Sequence, residues 1–263
     1  MMWEGHIPKG LFHTLEILEV CYDESAVLPL HIVQRFHNLE KLSLYSGSYE
    51  RIFSREGIGK QAKTLVKMRK LFLSRLNDLN YMWKQDSRLD LVLQNLEVLE
   101  VDKCGSLITL MAPFASFQNL TILEVKSCKN LMNLVTSSTA KSLVQLIKMK
   151  ISHCYKITEV IENQEDRAED TIIFSKLKSL SLKSLLCLRS FCSGNYILEF
   201  PSLEKLSVKG SNMEIFSTGV LSTPVLRKVK IILGLIEPVV DLNKTIQQLY
   251  KKEVYVYNSF FHH

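Results

Sequence analysis

Between residues 96 and 191 one pattern of apolar residues returns four times, and that return restricts the fold more than any other property of the chain. Residues 96–110 are LEVLEVDKCGSLITL, 120–134 are LTILEVKSCKNLMNL, 146–160 are LIKMKISHCYKITEV, and 177–191 are LKSLSLKSLLCLRSF. Each segment is apolar at its first, fourth and sixth positions and at every third residue thereafter. Three of the four carry Cys three residues after the sixth position, namely Cys104, Cys128 and Cys154. A looser form of the frame occurs at Leu15, Leu18 and Val20, at Leu39, Leu42 and Leu44, and at Met68, Leu71 and Leu73. It occurs again at Leu203, Leu206 and Val208 and at Leu226, Val229 and Ile231. The units begin 23–31 residues apart.

Alternation of apolar residues is the period of a strand, so the fourth and sixth positions point to one side. One strand this short cannot hide its own apolar face. Stacked copies can, each covering its neighbour, while the every-third-residue positions turn inward from the returning arm. A period in this range is that of a leucine-rich repeat. The expected fold is therefore an α/β leucine-rich-repeat solenoid, a horseshoe with a concave parallel sheet and irregular or short helical convex arms. Residues 1–10 form an N-terminal extension or cut edge, 11–237 the solenoid of about nine units, and 238–263 a C-terminal cap and tail. Asp241 is placed to cap a short helix in DLNKTIQQLYKK, whose lysines complement the helix dipole.

Within the solenoid, Leu73, Leu76, Leu79 and Met82 continue the every-third-residue rule and belong to the core, with Trp83 behind them. Pro201 and Pro224 each stand shortly before a strand and set an extended approach to it. Pro113 falls between two units. The acidic run ENQEDRAED, residues 162–170, is a solvated loop. Cys104, Cys128 and Cys154 occupy a tight turn where a small side chain meets backbone, and Cys187 and Cys192 are packing thiols of an outer arm.

The remaining chemistry is mostly excluded. REGIGKQ at 55–61 lacks the glycine spacing and the Ser or Thr of a phosphate loop. No Gly-x-Ser-x-Gly or His-Glu-x-x-His segment occurs. The cysteines lack the paired spacing of a zinc site, and the acidic run lacks the order of a calcium loop. No catalytic residue, cofactor or metal is expected. The first residues, MMWEGHIPKG, contain no apolar segment of a signal peptide, and no apolar run reaches the ~18 residues of a membrane span. A reducing cytoplasmic or nuclear compartment is expected, with free thiols. Asn119 and Asn243 then match the glycosylation pattern by chance. The formal charge of +6 on 263 residues argues only weakly for an acidic partner.

Residues between the buried strand positions face outward on the expected concave side. They are Ile17 and Glu19, Lys41 and Ser43, Lys70 and Phe72, Val98 and Glu100, Ile122 and Glu124, Lys148 and Lys150, Ser179 and Ser181, Lys205 and Ser207, and Lys228 and Lys230. Adjacent strands lie ~4.8 Å apart, so these become lateral rows. Glu100, Asp102 and Glu124 make an acidic middle, and Lys148, Lys150, Lys205, Lys228 and Lys230 a basic C-terminal half. These eight residues are the candidate binding residues, for a protein partner. Nucleic acid is disfavoured because aromatic residues do not interleave with the lysines, and no membrane partner is expected.

The block 96–160, with FQNLTILEVKSCKNLMNLV, FPSLEKLSVKG and the ending DLNKTIQQLY, resembles the C-terminal leucine-rich-repeat region of plant coiled-coil nucleotide-binding disease resistance proteins. The likeness covers roughly residues 11–255. It implies recognition of a pathogen effector or a modified host protein, or restraint of an attached nucleotide-binding switch. The chain departs from such a receptor in having no phosphate loop and no room for the switch or the coiled coil. The alternative is a leucine-rich-repeat substrate adaptor for ubiquitin ligation lacking its F-box.

Overall fold

The computed structural model describes residues 13–28, 36–53, 67–83, 94–111, 115–163, 170–193, 196–209, 221–231 and 234–236. The expected N-terminal extension, the 241–252 helix and C-terminal cap, Gly57 to Lys60, Pro113 and most of the acidic run lie outside these residues.

In chain order the strands are β1 (Ile17–Cys21), β2 (Lys41–Tyr45), β3 (Arg51–Phe53), β4 (Lys70–Ser74), β5 (Tyr81–Trp83) and β6 (Val98–Asp102). There follow β7 (Ile122–Lys126), β8 (Val135–Thr136), β9 (Lys148–Ser152), β10 (Glu159–Glu162), β11 (Thr171–Ile173) and β12 (Ser179–Lys183). The last are β13 (Ser190–Cys192), β14 (Ile197–Glu199), β15 (Lys205–Lys209), β16 (Leu221–Ser222), β17 (Lys228–Ile231) and β18 (Gly234–Ile236). The principal sheet has the order β1-β2-β4-β6-β7-β9-β12-β15-β17-β18, parallel throughout except for the antiparallel β17–β18 pair. Its nine parallel strands coincide with the nine places where the apolar frame predicts a strand. The molecule is a parallel β-solenoid.

The frame is buried as its spacing requires. Leu96, Leu99, Val101, Cys104, Leu107 and Leu110 are all inaccessible, and so are their counterparts in the next coils. Leu76, Leu79 and Met82 are core. Phe174 and Phe200, one coil apart, stack with ring centroids 5.2 Å apart, and Phe191 packs edge-on against both. Full burial of one such side chain contributes about 1.5–3 kcal/mol.

Each coil bends at two short turns. Ahead of the strand, the amide three residues on donates to a carbonyl, as in Leu120 to Phe117 (3.2 Å), Leu177 to Phe174 (3.3 Å) and Leu203 to Phe200 (3.2 Å). Pro201 and Pro224 occupy the second position of such turns, each closed by its own bond, Leu203 to Phe200 and Leu226 to Thr223. They therefore set turns rather than an extended approach, because proline's fixed φ suits that position. Behind the strand, Leu107 donates to Cys104 (3.3 Å) and Leu131 to Cys128 (3.4 Å).

Between the strand and the second turn stands a residue with φ near 55°. Tyr22, Ser46, Arg75, Lys103, Ser127, His153 and Ser184 all adopt this left-handed conformation. None is glycine. Each donates its amide to the last carbonyl of the next strand, as Lys103 does to Lys126 (2.8 Å), Ser127 to Ser152 (2.8 Å) and His153 to Lys183 (2.9 Å). The sharp reversal thus adds one more rung to the ladder, which offsets the ~1–2 kcal/mol cost of the conformation in an L-residue.

The outer arms, expected to be irregular or short helical, are for the most part short strands among the described residues. The described arms contain one short helix, α1 (Ser137–Ser142), capped by Thr136, whose hydroxyl accepts from the Thr139 amide. Elsewhere they form small parallel ladders of their own, β13-β10-β8, β11-β14-β16 and β3-β5. Arms rich in β-branched and aromatic residues, such as TII and SFC, stack as extended segments because the principal strands already hold them in register.

The left-handed position yields a prediction. Ser127→Val should lower unfolding free energy by about 1–2 kcal/mol, because a branched Cβ crowds the backbone at positive φ. Ser127→Gly should stay within about 1 kcal/mol of the parent. Equal denaturation midpoints for the two variants would show that the conformation carries no strain.

Candidate interaction surface

The strand register turns scattered polar residues into rows. One row runs Ile17, Lys41, Lys70, Val98, Ile122, Lys148, Ser179, Lys205, Lys228. The next runs Glu19, Ser43, Phe72, Glu100, Glu124, Lys150, Ser181, Ser207, Lys230. Both are the rows anticipated from the frame. No strand is staggered, so side chains of equal position lie one strand spacing apart, ~4.8 Å.

At the centre of this face four of the candidate residues come together. Glu124 receives Lys148 Nζ at 2.5 Å and Lys150 Nζ at 3.1 Å, one on each carboxylate oxygen. Burial acts to raise the Glu124 pKa, but hydrogen bonds and charge from the two lysines outweigh it and hold the carboxyl below its ordinary value. Glu100, beside it on β6, has no ion pair among the described residues. Partial burial, and then repulsion from Glu124, push its carboxyl above the ordinary value. Asp102 ends the same strand and keeps one carboxylate oxygen, Oδ1, buried without a hydrogen-bond partner.

The basic half is less continuous than the lysine count implies. Lys205 and Lys228 are register neighbours, and Lys230 lies two residues further along β17. Ser179 and Ser181 on β12 separate these three from Lys148 and Lys150. At the other end Lys41 reaches Glu19 at 2.8 Å and lies 5.2 Å from the Phe72 ring centroid. Charges of opposite sign thus meet locally where neighbouring strands differ, and like charges accumulate where they agree.

A third row of the same parity lies beyond the two positions read from each strand, and the sequence reading reached it only at Asp102. It runs Cys21, Tyr45, Ser74, Asp102, Lys126, Ser152, Lys183, Lys209. The signal for it was present, since the fifth residue of each strand shares the parity of the first and third.

The three turn cysteines stack in successive coils. Their thiols donate to the backbone carbonyl two residues earlier, Cys104 to Asp102 (3.7 Å), Cys128 to Lys126 (3.5 Å) and Cys154 to Ser152 (3.4 Å). Hydrogen bonding to the neighbouring thiol, followed by burial, pushes Cys154 far above an ordinary thiol, and bonding to Cys104 does the same for Cys128. Cys192 is pushed up to about 12 by burial and the nearby Glu159. Cys187 is exposed, not packed. It lies between Leu185 and Leu188, which take the inward positions of the turn. Among the described residues no three His, Cys, Asp or Glu side chains form a metal cluster, and no helix is long and apolar enough to cross a membrane.

The profile of the leucine-rich repeats of plant disease resistance protein RPS2-like sequences matches residues 1–115 and 111–230. The chain belongs to this family. It is a leucine-rich-repeat region of plant resistance proteins, a solenoid suited to protein interaction. No curated protein matches the chain.

Two predictions follow from the site chemistry. Folded Glu100 holds its proton more readily than in the unfolded chain, so its ionisation costs stability. That cost is absent below the unfolded carboxylate range and complete above the folded pKa. Glu100→Gln should therefore be more stable than the parent at neutral pH, by no more than about 1 kcal/mol, with the difference vanishing in acid. Glu124 has the opposite sign: its contribution is present above the unfolded value and lost as pH falls through the lowered folded one. Glu124→Gln should be less stable than the parent at neutral pH, and urea titrations across pH distinguish the two. A colorimetric disulfide reagent should label Cys21 and Cys187 in the native chain, with Cys104, Cys128, Cys154 and Cys192 reacting only after denaturation.

Proposed function

We propose that this chain is a non-enzymatic recognition module in plant defence, and that it uses the outward face of the principal sheet to bind a protein. The partner is a pathogen effector, an altered host protein or the nucleotide-binding switch of a resistance protein. The module acts inside the cell, in the cytoplasm or nucleus. The observation that carries this reading is the charge-patterned ladder on the open sheet face of a resistance-protein repeat region. Glu100, Glu124, Lys148 and Lys150 come together beside the apolar Val98 and Ile122. Such a mixture fixes orientation and partner choice more than raw affinity. Contact residues are Glu100, Asp102, Glu124, Lys148, Lys150, Lys205, Lys228 and Lys230. Membership of the resistance-protein repeats supports this reading over the ubiquitin-ligation adaptor.

The test measures capture, by the chain in trans, of a nucleotide-binding switch domain from an RPS2-like receptor. Reversing Lys148, Lys150, Lys228 and Lys230 to Glu should weaken capture at least about tenfold, the size expected when about 1.4 kcal/mol is lost. Because Lys148 and Lys150 also hold Glu124, a second variant reverses only Lys205, Lys228 and Lys230. Unchanged capture in both would remove the lysine face as the contact.

A further inference from the structure

We propose a second binding surface, at the edge of the principal sheet where strands β7, β9, β12 and β15 end. Its occupant is an extended acidic segment of a partner protein, carrying an apolar side chain among its carboxylates. The proposal is independent of the role assigned above to the sheet face.

The strand ends and the turns after them read KSCKN at 126–130, SHCYK at 152–156 and KSLLC at 183–187, with Lys209 closing the next strand. No Asp or Glu occurs in these segments. Lys126, Lys183 and Lys209 share one row, in which the buried Ser152 lies between the first two and Asp102 is the register neighbour of Lys126 on its other side. Lys129 and Lys156 are exposed on the adjoining turns. None of the five has an ion-pair partner among the described residues, whereas Lys148 and Lys150, a short way along β9, both engage Glu124. Adjacent like charges cost stability. A surface that keeps several of them unpaired gains most from an arriving anion, and it steers one from a distance.

The same edge carries an exposed apolar pair. Tyr155 is 39% and Leu186 65% accessible. They occupy equivalent places in consecutive coils, each directly after an inward residue, Cys154 or Leu185. A bare leucine amid lysines is not explained by the solenoid, whose inward positions are already filled.

Geometry selects the class of partner. Lys126 and Lys183 lie two strands apart, ~9.6 Å, while carboxylates three residues apart on an extended chain of the polyproline II type, which has three residues per turn, lie on one face ~9.3 Å apart. Two apolar side chains are too few to anchor a bilayer surface, which takes a full amphipathic face. Tyr155 is the one aromatic residue in these segments, and single-stranded nucleic acid is held by successive aromatic platforms. A peptide needs only what is present, a row of cations with one apolar contact.

The probe is a fluorescein-labelled peptide, GEGSELGEG, titrated into the full chain at low ionic strength with polarisation as readout. We expect saturable binding that weakens at least tenfold when Lys126 and Lys183 are both changed to Glu or both to Gln. We expect the same loss for Leu186→Ser, and for a peptide with Gly in place of its Leu. These positions are on the surface, so unchanged melting curves should accompany the losses. K228E/K230E should leave peptide binding intact, which separates this surface from the one assigned to the sheet face. Equal binding by K126E/K183E overturns the proposal. So does tighter association with phosphatidylserine vesicles or with single-stranded DNA than with the peptide.

Discussion

The structure depends on a parallel backbone ladder without stagger. Each parallel strand of the principal sheet has only four or five residues: it is too short to fold alone and is completed only by its neighbours. Two carbonyl-centred features hold the register at its ends. Before each strand, one carbonyl accepts two successive amides of the following coil, as Glu97 O accepts Thr121 and Ile122. After it, the left-handed residue contributes its amide to the next strand. With both ends pinned, slippage by one residue would turn Leu and Val outward and charged residues inward. At the far end β18 folds back antiparallel on β17 and covers its open edge, which a solenoid otherwise leaves available for aggregation.

That register also governs the electrostatics. It aligns leucines into a continuous core, and by the same operation aligns whatever lies between them. Where consecutive coils differ in sign, the alignment makes ion pairs, as Glu124 with Lys148 and Lys150. Where they agree, it sets like charges side by side, as Lys183 beside Lys209 and Lys205 beside Lys228. The surface therefore varies coil by coil without disturbing the core, which suits a solenoid to protein interaction. Fold membership alone names no partner.

Much of this architecture was legible in the residues. The first, fourth, sixth and every-third-residue apolar positions located all nine parallel strands, and the lateral rows followed from strand parity. Three features were not legible. The left-handed residues are Tyr, Ser, Arg, Lys and His, so the glycine that usually marks such a position is missing. The arms were expected to be irregular or helical, but segments such as TII and SFC pair with their own counterparts one coil away. Cys187 was taken for a packing thiol because it sits among leucines, yet it occupies the exposed middle of a turn.

The sequence by itself determined the kind of object this is: a stack of units whose apolar spacing leaves no other way to be buried, and which belongs by its repeats to plant resistance proteins. What only the tertiary structure decided is the state of each charge. Glu100 and Glu124 are both single glutamates at the same strand position in consecutive units. One is left beside a like charge and the other is held by two lysines. The difference arises because coil spacing is set by the backbone ladder, while pairing depends on which side chain the next coil happens to bring within about 3 Å.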